Sequence, residues 1–272
     1  MRGEASFALK QRRGLNRIVA LTIVPNAWES EHFRRRIFRV ILDSSVTSRQ
    51  LADALAAAPP HDLLEIVLED GDERRLAAAM DCGFRPVVRF VHYADELNEA
   101  KVTLNLPYAR GWLSRVRRAV PEDIEELHRV TGKIDFPGRF GVAPYTRQDG
   151  VDYYRLRVEK AVRGLFDDVC LVLATATGIA GFLLLRYGAS DDECDWALMG
   201  IDPSFHGIGG TLALMIAGEQ FCLEGGRPRL TMKAPFDNPV IRLYEVLGFR
   251  RCGGSVHLYR IPASGIFPLP GA

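Results

Sequence analysis

One stretch constrains this chain more than any other: "ALMGIDPSFHGIGGTLALMIAGEQF", residues 197–221. An apolar run ends at an Asp-Pro corner, Gly207, Gly209 and Gly210 follow, and a Leu/Ala/Ile repeat begins near Thr211. A strand feeding a helix through glycines turns consecutive backbone N–H groups outward at the helix N-terminus, which suits phosphate oxygens. A plain flexible turn is the competing reading of any short glycine cluster. Two nucleotide-binding devices fail on a residue that their mechanism needs. A dinucleotide fingerprint starting at Gly207 requires glycine or alanine at position 212, which is Leu212, and a P-loop requires a lysine after the glycines.

The flanking patterns predict alternating strands and helices. "RIVALTIV", Arg17 to Val24, reads as a first strand; it follows basic residues as a signal peptide would, but it is short and no small-residue cleavage site follows. Strands are expected over Ile37–Leu42, Leu63–Leu68 and Pro86–Tyr93, with helices over "SRQLADALAAA" and Glu73–Cys82. "ADELNEAKVTLNLPYARG" reads as a polar connector, and a boundary near residue 110 divides the chain into units 1–110 and 111–272. The second unit reads as a strand to Arg118, a helix from Pro121, and a long loop carrying Phe136, Arg139, Phe140, Tyr145 and Arg147. Helix Val151–Arg163 and strands Val169–Thr175, Ile179–Tyr187 and Asp195–Asp202 come next. The last elements are helix Thr211–Glu224, strand Arg229–Lys233, helix Pro239–Leu247 and strand Ser255–Ile261. An internal repeat joins the halves: Gly83-Phe84 and Val91-His92 recur at one common offset as Gly248-Phe249 and Val256-His257.

Charge narrows the function. With 35 Lys and Arg against 34 Asp and Glu, the chain has no net field for nucleic acid or an anionic membrane, so neither is an expected partner. Its 5 cysteines are widely spaced and lack a Cys-x-x-Cys pair, which predicts a reducing, cytoplasmic setting and no metal site.

A second motif lies downstream, "NPVIRLYEVLGF", Asn238 to Phe249. It is similar, at full spacing, to a segment of the GNAT N-acetyltransferases in which an asparagine precedes Leu-Tyr and Gly-Phe, with Ile241 at a variable position. The glycine stretch resembles that family's pyrophosphate loop, Arg/Gln-x-x-Gly-x-Gly/Ala. Here His206, Gly209 and Thr211 fall on the specified positions; His206 and Thr211 depart in residue type. The resemblance covers about Leu113 to Ile261. It implies an α/β (α+β) fold of tandem GNAT-like units, each a mixed sheet flanked by helices, with the first unit degenerate.

The resemblance also implies acetyl-CoA as co-substrate. Its pyrophosphate would lie on His206, Gly207, Ile208, Gly209, Gly210 and Thr211, and its pantetheine arm along the backbone of Met199 and Ile201 and near Asn238. Tyr244 would stand near the thioester sulfur as general acid. From the residues alone Tyr244 has a second reading, because Val240, Leu243, Tyr244 and Leu247 form one helical stripe that fits a core. No base is named: Glu193, Asp195 and His206 lie nearby but read as solvated turn or strand-end positions.

"AWESEHF", "VEKAVRGLFDDVCLVL" and "HLYR" are similar to a branch of the family that acetylates nucleotide-linked amino-dideoxy sugars. This implies a small-molecule amine acceptor, a dTDP-linked amino sugar, and a homodimer. Such an acceptor needs arginines and aromatics for its pyrophosphate and base, and Phe136, Arg139 and Tyr145 are the candidates, unless they serve to pin the loop. Two alternatives remain: a GNAT acting on another small amine or a protein N-terminus, and a non-catalytic acyl-CoA-binding module.

Overall fold

The computed structural model describes residues 21–262 except 137, 189 and 208, and leaves aside the side chains of 103–106, 108 and 110. Ile208 and the first residues of the expected strand at Arg17 therefore lie outside the described residues. Ten strands form a single mixed sheet in the order β1-β2-β3-β10-β4-β9-β8-β7-β6-β5. The strands are β1 Leu21–Pro25, β2 Ile37–Leu42, β3 Leu63–Glu69, β4 Arg85–Glu96, β5 Val116–Arg118, β6 Val169–Thr175, β7 Gly178–Tyr187, β8 Glu193–Ile201, β9 Arg229–Pro235 and β10 Arg250–Arg260. The described helices are α1 Ala27–Phe33, α2 Ser48–Ala56, α3 Glu73–Asp81, α4 Glu99–Leu113, α5 Ile124–Lys133, α6 Arg147–Val162, α7 Gly210–Glu224 and α8 Val240–Val246.

The repeat seen in the sequence is a pseudo-dyad in the sheet. β10 lies between β3 and β4, and β4 lies between β10 and β9, so each half sends its last strand into the other half. The antiparallel register pairs Phe90 with Ser255, its own counterpart under the repeat, and pairs Arg89 with Val256 and Val91 with Gly254 symmetrically on either side. Gly83 and Gly248 hold matching left-handed backbone at φ +87° and +83°, a conformation that glycine adopts without a Cβ clash. The two sequence units thus share one continuous sheet rather than two separate ones.

Helices cover both faces of the sheet. Leu214, Met215 and Cys222 of α7 and Tyr244 of α8 pack with Val91, Tyr93, Trp196 and Met232 on one face. On the other, Leu127 and Val130 of α5 and Val158 and Ala161 of α6 cover Val172, Phe182 and Leu184. Two helices differ from the sequence expectation. The stretch read as a polar connector is α4, 15 residues with Pro107 inside it; Val102 and Ala109 pack on Ala213 and Ile216 of α7, so tertiary burial overrides a weak local signal. "AWESEHF" is α1, which ends at Arg34 in left-handed backbone, φ 52°.

Beneath α4 and α7 lies a buried carboxyl. Glu219 is 1% exposed, its Oε2 has no hydrogen-bond partner, and burial pushes its pKa up from 4.5 to about 7, opposed only by Lys101. Because the fold holds the proton that the unfolded chain has released, stability should fall as pH rises from about 4.5 to 7 and level off above. The full penalty is about 3 kcal/mol. Glu219→Gln should abolish this component: denaturant unfolding of the variant should match wild type near pH 4.5 and exceed it at pH 8. Parallel pH curves for the two proteins would show that Glu219 is ionised in the fold.

Candidate active site

The site starts from a break in the sheet. β8 and β9 run parallel and pair from Glu193/Arg229 to Trp196/Met232, and no further. Ala197 is an extra residue in the β7–β8 register, since Leu184 pairs with Leu198 and Leu185 with Trp196; a bulge bends its strand. β9 meanwhile continues on β4 through Lys233, Ala234 and Pro235. Beyond Trp196 the two strands are therefore a wedge. The backbone of Met199 and Ile201 on its β9 side has no strand partner among the described residues, so it is open to an extended ligand pairing in β fashion.

At the end of β8 the chain turns through Asp202, a buried carboxylate that caps the turn by accepting from Ser204 N at 3.0 Å and is held from α5 by Lys133 Nζ at 2.9 Å. This strut was not anticipated from the sequence, although the Asp-Pro corner marks its place. Gly207 and Gly209 then take φ +75° and +87°, and Gly209 is the N-cap of α7 without any side-chain cap. The first helical bond runs from Ala213 N to Gly209 O at 2.9 Å, which leaves the amides of Gly210, Thr211 and Leu212 without an intrahelical acceptor. Gly210 has a different reason to be glycine, because a Cβ there would lie 2.9 Å from Leu173. His206 is exposed and Thr211 half-buried at this mouth.

Tyr244 stands on the α7 side of the wedge, 6% exposed, its ring edge-on to Tyr93 at 5.6 Å and to Phe249 at 5.9 Å. The ring is core, as the stripe allows, while the hydroxyl has no hydrogen-bond partner among the described residues. Burial, with Tyr93 adding to it, raises the phenol pKa, so the proton is retained at neutral pH. Asn238 is half-buried before α8, and its Oδ1 accepts from Val240 N at 3.0 Å, while its amide NH2 has no acceptor among the described residues. Met199 packs in the same cluster as Tyr244. The structure thus groups Met199 and Ile201 with Tyr244 in one cluster, with His206, Gly207, Gly209, Gly210 and Thr211 on the turn and helix start that follow β8 and Asn238 just before α8.

The long loop lies elsewhere. Arg139 makes a bidentate ion pair with Glu29 of α1, at 2.6 and 2.9 Å, and stacks on Phe140, Tyr145 and Tyr153. Tyr145 is 3% exposed in the same cluster, and Phe136 packs on Tyr154 at 4.1 Å. These three side chains tie the loop to α1 and α6.

The first half holds a matching but closed wedge. β2 and β3 pair in parallel over Ile37–Arg39 and Leu63–Glu65 and then part. There the following helix is capped by its own residues, with Thr47 and Gln50 forming a capping box. No glycine lies between Leu42 and Ser48, and Arg75 Nη1 takes the carbonyl of Leu42 at 3.0 Å. Here the amide of Gln50 and the carbonyl of Leu42 are taken by side chains.

A mixed sheet split between parallel strands, with an uncapped helix following the split, defines the class: the chain has the GNAT fold in tandem form. A GCN5-related N-acetyltransferase from Sphaerobacter thermophilus matches it with a TM-score of 0.55 at 15% identity, covering 96% of this chain and 86% of that one. A tandem GNAT protein from the clavulanic acid biosynthesis pathway matches with a TM-score of 0.53 at 15% identity, over 83% of this chain and 75% of that one. In sequence the chain resembles one particular protein, dTDP-fucosamine acetyltransferase of Escherichia coli O6:H1 (strain CFT073), at 28% identity over 171 residues, 62% of this chain and 69% of the relative. No protein-family model matches the sequence.

Proposed function

We propose that the chain is an acetyl-CoA-dependent N-acetyltransferase that transfers the acetyl group directly to the amine of a dTDP-linked amino-dideoxy sugar, in the cytoplasm and as a homodimer. The observation that carries the transferase reading is the open wedge, with helix amides that lack an intrahelical acceptor at its mouth and a protonated tyrosine along its side. The helix amides of Gly210 to Leu212 would hold the pyrophosphate of acetyl-CoA. The unpaired β8 backbone at Met199 and Ile201 would align the pantetheine arm, and the free amide of Asn238 would steady it. Tyr244 would give its proton to the departing thiolate. The closed wedge of the first half supports one donor site per chain.

The sugar assignment rests on the 28%-identical relative. Its test is a competition at equal concentration among a dTDP-4-amino-4,6-dideoxyhexose, the matching neutral amino sugar, spermidine and a peptide with a free N-terminus. The nucleotide sugar should be acetylated with kcat/KM higher by about a hundredfold, the scale that satisfied or orphaned polar contacts produce. Preference for spermidine or the peptide would remove the sugar and keep the transferase.

A further inference from the structure

The face of the wedge opposite Tyr244 carries two charges that do not pair. Asp195 on β8 is half-buried, and its one hydrogen bond among the described residues comes from Thr231 Oγ1 at 3.4 Å. Lys233 on β9, the first residue past the last β8–β9 pair, makes no ion pair or hydrogen bond among the described residues; its ammonium lies 5.4 Å from the Phe90 ring. Thr231 is in register with Asp195, and Lys233 is two residues further along the same face, so the two opposite charges flank the fork without closing on each other. The other charged groups nearby are engaged: Arg157 and Arg186 both bind Asp167, and His92 meets Ser255 Oγ at 3.0 Å.

We infer that Asp195 is the general base that takes the proton of the acceptor's ammonium, and that Lys233 sets its basicity from across the fork. This rests on the acetyl-transfer reading above but not on the identity of the acceptor. Asp195 lies one residue before the last β8–β9 pair, on the face opposite α7 and Tyr244, so an amine entering from that face would meet its carboxylate at the fork. Burial draws the Asp195 pKa up, against Arg186, Lys233, Arg157 and the Thr231 hydrogen bond. Lys233 is exposed at the rim of the same face, where Asp195 and Glu65 favour its charged form and Arg157 and Arg186 oppose it. A carboxylate raised above its ordinary range accepts a proton from an ammonium better than a solvated one. In the step, the ammonium gives one proton to Asp195 and the nitrogen lone pair bonds the acetyl carbon. The C–S bond then breaks, the thiolate takes the Tyr244 proton, and the second nitrogen proton restores Tyr244 as the amide forms. Asp195 releases its proton to solvent, so one ammonium and one thioester give one amide, one thiol and one proton.

The test compares two small acceptors with acetyl-CoA: methylamine, protonated near neutral pH, and hydroxylamine, which is neutral there and needs no base. Asp195→Asn should lower turnover of methylamine by about a hundredfold or more and that of hydroxylamine by less than about threefold, with unchanged acetyl-CoA affinity. Lys233→Met should move the acidic limb of the methylamine pH profile to higher pH, and Lys233→Arg should restore it. Carbon-13 titration of the Asp195 carboxyl, which needs no acceptor, should show a raised pKa that rises further in Lys233→Met. Equal losses on both acceptors, an unmoved limb, or an ordinary Asp195 pKa would each overturn the assignment. A wild type that acetylates hydroxylamine but no dTDP-amino sugar would remove the sugar reading alone.

Discussion

Tyr244→Phe should lower kcat by a hundredfold to a thousandfold while leaving the acetyl-CoA Kd within about twofold, the range that one positioned general acid supplies. The ring contacts with Tyr93 and Phe249 survive in the variant, so the fold is kept and the change is confined to one hydroxyl that has no partner among the described residues. Thiol release measured against pH should also lose any alkaline limb that belongs to the phenol. Wild-type turnover in the variant would return Tyr244 to a purely packing role.

Gly209→Glu should weaken acetyl-CoA binding by a hundredfold or more, about 3 kcal/mol. Two effects combine. The residue sits at φ +87°, where a side chain is strained, and a carboxylate at the N-terminus of α7 takes the free amides for itself. Gly209→Ala carries the strain without the charge and should lose clearly less, so calorimetric titration of the pair separates geometry from anion competition. Binding in Gly209→Glu as tight as in wild type would make the glycines a turn and nothing more.

Much of this was legible in the sequence because its signals are local. The glycine cluster between strand and helix marks the turn that leaves the first amides of α7 without intrahelical acceptors, and the Gly-Phe and Val-His pairs mark the duplication. Legibility failed where tertiary contacts decide. Pro107 argued against a helix that packing on α7 imposes. Arg139 and Tyr145 were read as candidates for a nucleotide, and composition could not reveal that Glu29, more than a hundred positions earlier, pairs with both terminal nitrogens of the guanidinium. Asp195 read as a solvated strand end because its neighbours Lys233 and Arg186 come from other strands. The exchange of β4 and β10 between the halves was equally hidden, since nothing in a repeat says which copy its last strand will join.

The closed first wedge and the open second one make a numerical claim about the intact chain. Titrating wild-type protein with acetyl-CoA should give one site per chain. That site should weaken by the same hundredfold or more in Gly209→Glu and stay unaltered when Arg75, which donates to Leu42 in the first wedge, is replaced by alanine. Two sites in wild type, or a single site indifferent to Gly209, would contradict the account.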